Sequence, residues 1–224
     1  MCATIFRMKE QYFSPVTIND LSRQWLKAYS WPKRTESQLF DIERAALLIL
    51  DMQGYFLNPD SHAYIPSAKA IVPGLNQVAA YFRSKKRPVI ATKHINTVEN
   101  AGMMGSWWSE LITDNHSLSD IHPDLGIIRS EILSKSQYDA FYQSELATVL
   151  NTSRIDQLVI GGVMTHLCCE TTARAAFVRG FEVFFLVDGT ATYNREYHQA
   201  SLQNLAHGFA VLTTIEDLQK EPRS

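Results

Sequence analysis

The amino-acid sequence predicts a three-layer α/β/α fold around a doubly wound, mostly parallel sheet of about six strands. Apolar, β-rich runs alternate with stretches of helical period at the spacing of βαβ units. The first run, Ala45–Leu50, is apolar throughout rather than alternating, as a strand covered by helices on both faces must be. Asp51, His94 and Asp188 stand at or just beyond the carboxyl ends of such runs, where open α/β sheets bind ligands.

Taken in order, Ala45–Leu50 is the first strand, closed by Asp51. Ser67–Lys86 carries Ala70, Ile71, Leu75, Val78, Ala79 and Phe82 at helical spacing, with Pro73 near its first turn. Pro88–Thr92 is the second strand, ending at Lys93 and His94. From Asn96 to Asp124 the periodicity fades, and the stretch containing Trp107 and Trp108 reads as a loop covering a site. A short strand is expected at Leu125–Ile128, a helix over Ala140–Leu150, a strand over Gln157–Gly162 and a helix over Thr165–Arg179. Phe181–Val187, Glu196–His207 and Phe209–Thr213 complete the alternation as strand, helix and strand. Residues 1–40 precede this unit, and Leu21, Trp25 and Leu26 share a helical face there, followed by Trp31 and Pro32. They are expected to form an arm that packs on the domain of residues 41–224 or on a neighbouring subunit.

Composition excludes several function classes. The 224 residues are 46% hydrophobic and 20% charged, and a chain of this size buries roughly 70% of its unfolded surface without disulfides or a structural metal. Cys2 stands alone while Cys168 and Cys169 are adjacent, which offers neither a disulfide framework nor the spaced pairs of a zinc site. Lys and Arg number 21 against 23 Asp and Glu, leaving no basic excess for nucleic acid. No apolar run approaches the ~18 residues of a membrane span, and Lys9, Glu10 and Asp20 interrupt any signal-peptide core. The expectation is a cytoplasmic protein with a small-molecule substrate and neither a nucleic-acid nor a membrane partner.

Cys168 falls near the amino end of the helix expected after the fourth main strand, where unpaired N–H groups and the helix dipole favour a thiolate. An isolated cysteine in such a place is more often a small buried hydrophobe. Cys169, about 100° further round the helix, takes that second reading. The seven histidines include no His-x-x-x-His pair, and Gly-x-Gly-x-x-Gly, the phosphate loop and Gly-x-Ser-x-Gly are all absent. No metal and no cofactor are expected.

Three segments in consistent order carry a family resemblance. They are Ala46-Leu-Leu-Ile-Leu-Asp-Met-Gln-Gly-Tyr-Phe56, Lys135-Ser-Gln-Tyr-Asp-Ala-Phe141 and Ile160-Gly-Gly-Val-Met-Thr-His-Leu-Cys-Cys-Glu-Thr-Thr-Ala173. They resemble the first strand, the lysine segment and the nucleophile turn of the isochorismatase-like cysteine hydrolases, which include nicotinamidases, carbamoyl amidohydrolases and isochorismatase. Val187-Asp188 and His198 fall where that family's later motifs do, so the similarity spans about residues 44–214. The resemblance implies a triad with Asp51 as general base and acid, Lys135 as electrostatic partner and Cys168 as nucleophile. It implies a cis peptide at Val163-Met164 and an oxyanion hole from the Met164 and Cys168 N–H groups. Phe56, His94, Trp107, Trp108, Tyr138, His166 and Tyr193 are the candidates for substrate binding, and a homo-oligomer, dimer or tetramer, is implied.

Two departures shape the substrate expectation. Nicotinamidases carry an Asp/His metal cluster with a Trp-His pair after the second strand, where this chain has Lys93-His94-Ile95. That difference implies no metal and a substrate other than nicotinamide. His166 and the stretch before Arg44 resemble isochorismatase proper, which lacks the cysteine and cleaves a vinyl ether with the aspartate as acid. The leading expectation is C–N hydrolysis of a small amide, carbamoyl or ureido compound through a thioester on Cys168. Ether hydrolysis by Asp51 and a catalytically silent binding subunit are the alternatives.

Overall fold

The computed structural model describes residues 9–31 and 39–220, so Cys2 and Pro32 lie outside the described residues. Six strands form one sheet: β1 (Ala45–Leu50), β2 (Val89–His94), β3 (Ile132–Lys135), β4 (Gln157–Val163), β5 (Glu182–Ala191) and β6 (Val211–Thr213). The helices are α1 (Ile18–Tyr29), α2 (Gly54–Leu57), α3 (Ala68–Ser84), α4 (Met104–Trp107), α5 (Leu146–Thr152), α6 (Glu170–Val178), α7 (Arg195–Gly208) and α8 (Ile215–Leu218).

Every strand pair is parallel and the order is β3-β2-β1-β4-β5-β6. The chain winds outward from β1 through β2 to β3, crosses back, and winds the other way through β5 and β6. Helices cover both sides of the sheet, and all six residues of β1 are buried. Winding in two directions leaves a crevice at the carboxyl ends of β1 and β4, where the two halves diverge. Among the described residues no helix is long and apolar enough to cross a membrane.

Four local expectations are corrected. Leu125–Ile128 is not a strand; β3 lies at Ile132–Lys135. Its burial pattern, exposed except at Lys135 and partly at Leu133, is that of an edge strand, which has no apolar run to betray it. The helix expected over Ala140–Leu150 is confined to α5. Ser144 Oγ contacts Ala140 O and accepts from the Leu146 N–H, a side-chain bonding pattern that competes with the helical ladder. The helix after β4 opens as a π-helical turn, Thr165–Cys169, before α6 begins. Asp188 does not end β5, which continues to Ala191; both its carboxylate oxygens accept from the Ile215 N–H at the start of α8.

The glycine pair before that turn has a steric cause. Gly162 has φ 108° and lies opposite Leu50, and a Cβ there would stand 2.1 Å from Leu50 O. Only hydrogen fits, so β4 can close on β1 at the level of the crevice. Gly162→Ala should cost at least about 3 kcal/mol through left-handed strain and a backbone clash. Gly208→Ala, with nothing within 4 Å of the new methyl, is the control. Thermal unfolding of the two variants checks this; equal melting temperatures would refute it.

Candidate active site

Four strands deliver one polar side chain each to the crevice. Asp51 follows β1, His94 ends β2, Lys135 ends β3, and Cys168 lies in the π-helical turn after β4. His94 and Lys135 are register partners on neighbouring strands. Asp51 has φ 50°, a left-handed conformation that aspartate tolerates better than most residues. Its N–H donates to Thr92 O at 3.2 Å, and its carbonyl accepts the Gln53 N–H at 2.7 Å.

Lys135 is the hub. Its side chain and that of Asp51 are fully buried, with Nζ 2.8 Å from Asp51 Oδ2. The ammonium donates to Gln137 O at 2.8 Å, His94 Nδ1 at 3.1 Å and Cys168 Sγ at 3.3 Å, which uses its three protons. Asp51 Oδ1 accepts from the Thr92 hydroxyl at 2.6 Å. Oδ2 is close to the ammonium but meets no donor in hydrogen-bond geometry among the described residues. It keeps an open lone pair in a dry site, as a base requires.

Burial opposes the Lys135 charge, but the Asp51 carboxylate outweighs it and the ammonium is held. Burial pushes the Cys168 thiol up to about 12, with Asp51 reinforcing the shift and Lys135 opposing it only in part. The thiolate expected at the helix start is therefore a thiol at rest. Dry surroundings and a neighbouring carboxylate outweigh the helix dipole.

His94 is neutral, because burial, reinforced by Lys135, lowers its pKa to about 4. Its tautomer is set by a relay. Asn96 Nδ2 donates to Ser136 O at 2.8 Å, so Asn96 Oδ1 accepts from His94 Nε2–H at 2.8 Å and Nδ1 faces Lys135 with its lone pair. Gln53 clamps the same histidine's backbone, accepting from the His94 N–H and donating to its carbonyl. Asp51, His94 and Cys168 bring ligand atoms within 4.8 Å of one another. The Lys135 ammonium already contacts all three, so the trio fits that cation and not a metal ion.

A cavity of about 390 Å³ opens onto Cys168. Of the residues singled out in the sequence, Phe56, His94, Trp107, Trp108, Tyr138, Met164 and Tyr193 line it. Trp108 Nε1–H donates to Tyr138 Oη at 2.8 Å and joins two of these walls. His166 does not line it: its Nδ1 lies 2.6 Å from Thr192 Oγ1 and its ring stacks on Tyr197. The Val163–Met164 peptide is cis, and the Met164 N–H makes no hydrogen bond among the described residues. Cys169 sits in the core.

Sequence reasoning missed Tyr55, His62, Asn96 and Glu110, which also line the cavity. Glu110 is the only carboxylate among the described lining residues, and no arginine or lysine is among them. These four stand in loops or a single helical turn, where no periodicity marks them. Asn96 alone had a cue, two residues past His94 at a strand end.

The isochorismatase-domain model matches residues 45–217. Nicotinamidase 3 of Arabidopsis thaliana is 38% identical over 181 residues, covering 79% of this chain and 87% of that protein. Enterobactin synthase component B of Escherichia coli (strain K12) is 28% identical over 202 residues, covering 88% of this chain and 70% of that one. A cysteine hydrolase structure from Pseudomonas syringae pv. phaseolicola superposes with a TM-score of 0.77 at 24% identity, over 85% of this chain and 94% of that one. With β-sheet, crevice and sequence in agreement, the chain belongs to the isochorismatase family and is a hydrolase.

A resting thiol has a kinetic signature. Alkylation of Cys168 by iodoacetamide should be slow at neutral pH and rise with pH without a plateau near the free-thiol pKa of about 8.5. Lys135→Met should slow it further, since the ammonium is the group that lowers the thiol pKa. Peptide mass spectrometry of quenched samples reads both rates; a plateau below pH 8.5 would contradict the thiol assignment.

Proposed function

We propose that this hydrolase cleaves the C–N bond of a small, uncharged amide, carbamoyl or ureido compound through a thioester on Cys168. The observation that carries the reading is the arrangement at the cavity: a thiol in contact with the Lys135 ammonium, beside a fully buried carboxylate paired with that same ammonium.

Asp51 Oδ2 takes the Cys168 proton as Sγ attacks the carbonyl carbon. Lys135 stays charged and stabilises the sulfur as it becomes anionic. The Met164 and Cys168 N–H groups are the proposed donors to the carbonyl oxygen as it gains negative charge. Asp51 returns the proton to the leaving nitrogen, the C–N bond breaks, and ammonia or an amine departs. Water, deprotonated by Asp51, then attacks the thioester; the C–S bond breaks, the sulfur recovers its proton and a carboxylic or carbamic acid leaves. Burial keeps the thiol protonated until a substrate fills the cavity, so the proton transfer is coupled to attack.

Ether hydrolysis of isochorismate fits less well. That substrate carries two carboxylates, whereas the described lining offers Glu110 and neither arginine nor lysine. The Lys93-His94-Ile95 difference pointed away from nicotinamide, but the 38% identity to a curated nicotinamidase makes nicotinamide the first amide to test.

Ammonia release from nicotinamide and a panel of neutral and anionic amides tests the proposal. Turnover should favour neutral amides, vanish in Cys168→Ala and fall at least about a thousandfold in Asp51→Asn. Isochorismate consumed equally well by Cys168→Ala would overturn it. So would ligands that raise the melting temperature while none is consumed, which is the behaviour of a silent binding subunit.

A further inference from the structure

Residues 9–13 precede the matched domain, residues 45–217, and the chemistry above makes no use of them. They lie between two segments that wall the cavity. On one side the Glu10 N–H donates to Tyr193 O at 2.6 Å, the Arg195 N–H donates to the Glu10 carboxylate at 3.3 Å, and the Tyr12 hydroxyl accepts the Thr192 N–H at 2.8 Å. On the other, the Tyr12 and Phe13 N–H groups both donate to Ser67 Oγ, at 3.0 and 3.1 Å, and the Lys9 ammonium donates to His62 O. The same ammonium stands 4.8 Å from the centroid of the Tyr193 ring. His62 and Tyr193 both line the cavity, so Lys9 joins its two walls directly.

The segment is firmly held. The Tyr12 hydroxyl donates to His198 Nδ1 at 2.9 Å, and Tyr12, Phe13 and Trp25 surround that buried ring. Thr192 reaches further, since its hydroxyl meets His166 two residues before Cys168. Tyr193 itself sits in the connection between β5 and α7. Its carbonyl and its ring both have partners on the arm, which belongs to neither element.

We infer that residues 9–13 are a pocket-building element in which Lys9 and Glu10 are positioning residues, holding the Tyr193 ring against the His62 loop so that the cavity favours flat aromatic groups. This rests on the preceding reading only in taking the cavity as the route by which a carbonyl reaches Cys168. The amino-terminal arm would then help to set which substrate is accepted while leaving Asp51, Lys135 and Cys168 untouched.

The test reads the cavity without turnover. Cys168 is alkylated at about pH 9, where glutathione is ionised and Cys168 still reacts slowly as a thiol, with iodoacetamide and separately with N-phenyliodoacetamide. The rate ratio, aromatic over small, is taken relative to glutathione. The parent should exceed glutathione. Lys9→Ala should lower the ratio by about fivefold, the scale of losing one cation–π contact and its ordering, and Lys9→Arg should restore it. In a Tyr193→Leu background, Lys9→Ala should have no further effect. A parent ratio equal to that of glutathione, a Lys9→Ala ratio equal to the parent's, or the same Lys9→Ala loss without the Tyr193 ring would each overturn the inference. A parent that labels selectively yet releases ammonia from no amide defeats the amidase reading and leaves this one standing.

Discussion

The buried Lys135 ammonium is the constraint on which the site depends. Taking such a charge out of water costs several kcal/mol, and four partners offset that cost here. Asp51 supplies the opposite charge, and Gln137 O, His94 Nδ1 and Cys168 Sγ take the three protons. These groups come from four different parts of the chain. The ammonium can therefore be satisfied only when β1, β2, β3 and the turn after β4 are assembled together. A buried cation with one partner missing would be worse than none, so the geometry is cooperative rather than additive.

The same constraint shapes the chemistry. Burial and the Asp51 carboxylate together hold Cys168 as a thiol, and the Lys135 ammonium opposes them only in part. A cysteine held as a thiol reacts slowly with oxidants and alkylating agents. Asp51 Oδ2, 2.8 Å from the ammonium, is the oxygen that the proposed mechanism uses as its base. His94, with its pKa lowered to about 4, contributes a lone pair without adding a second charge.

In the proposed mechanism, catalytic and recognition parts are divided between scaffold and loops. Asp51, His94 and Lys135 stand at strand ends, where parallel hydrogen bonding fixes their spacing. The cavity walls come from the loop around Trp107 and Trp108, the loop around His62, and the Tyr193 connection tied to the arm. Substrate preference can thus change with loops while the chemistry at the strand ends is kept.

Local pattern made much of this legible. Ala45–Leu50 had to be a doubly covered strand because no alternation exposed a polar face, and Asp51 at its end followed from that. The edge strand β3 escaped because only Lys135 in it is buried, and the helix over residues 140–145 failed because Ser144 bonds its own backbone neighbours. The sequence by itself determined the layer architecture and two of the polar strand ends, Asp51 and His94, since both depend on residue type and spacing along the chain. Only the tertiary structure decided that Cys168 rests as a thiol, that His166 turns away from the cavity and that Lys9 reaches Tyr193. Desolvation and contact depend on what surrounds a group in space, and its surroundings here come from segments up to 186 residues apart, as Tyr12 and His198 are.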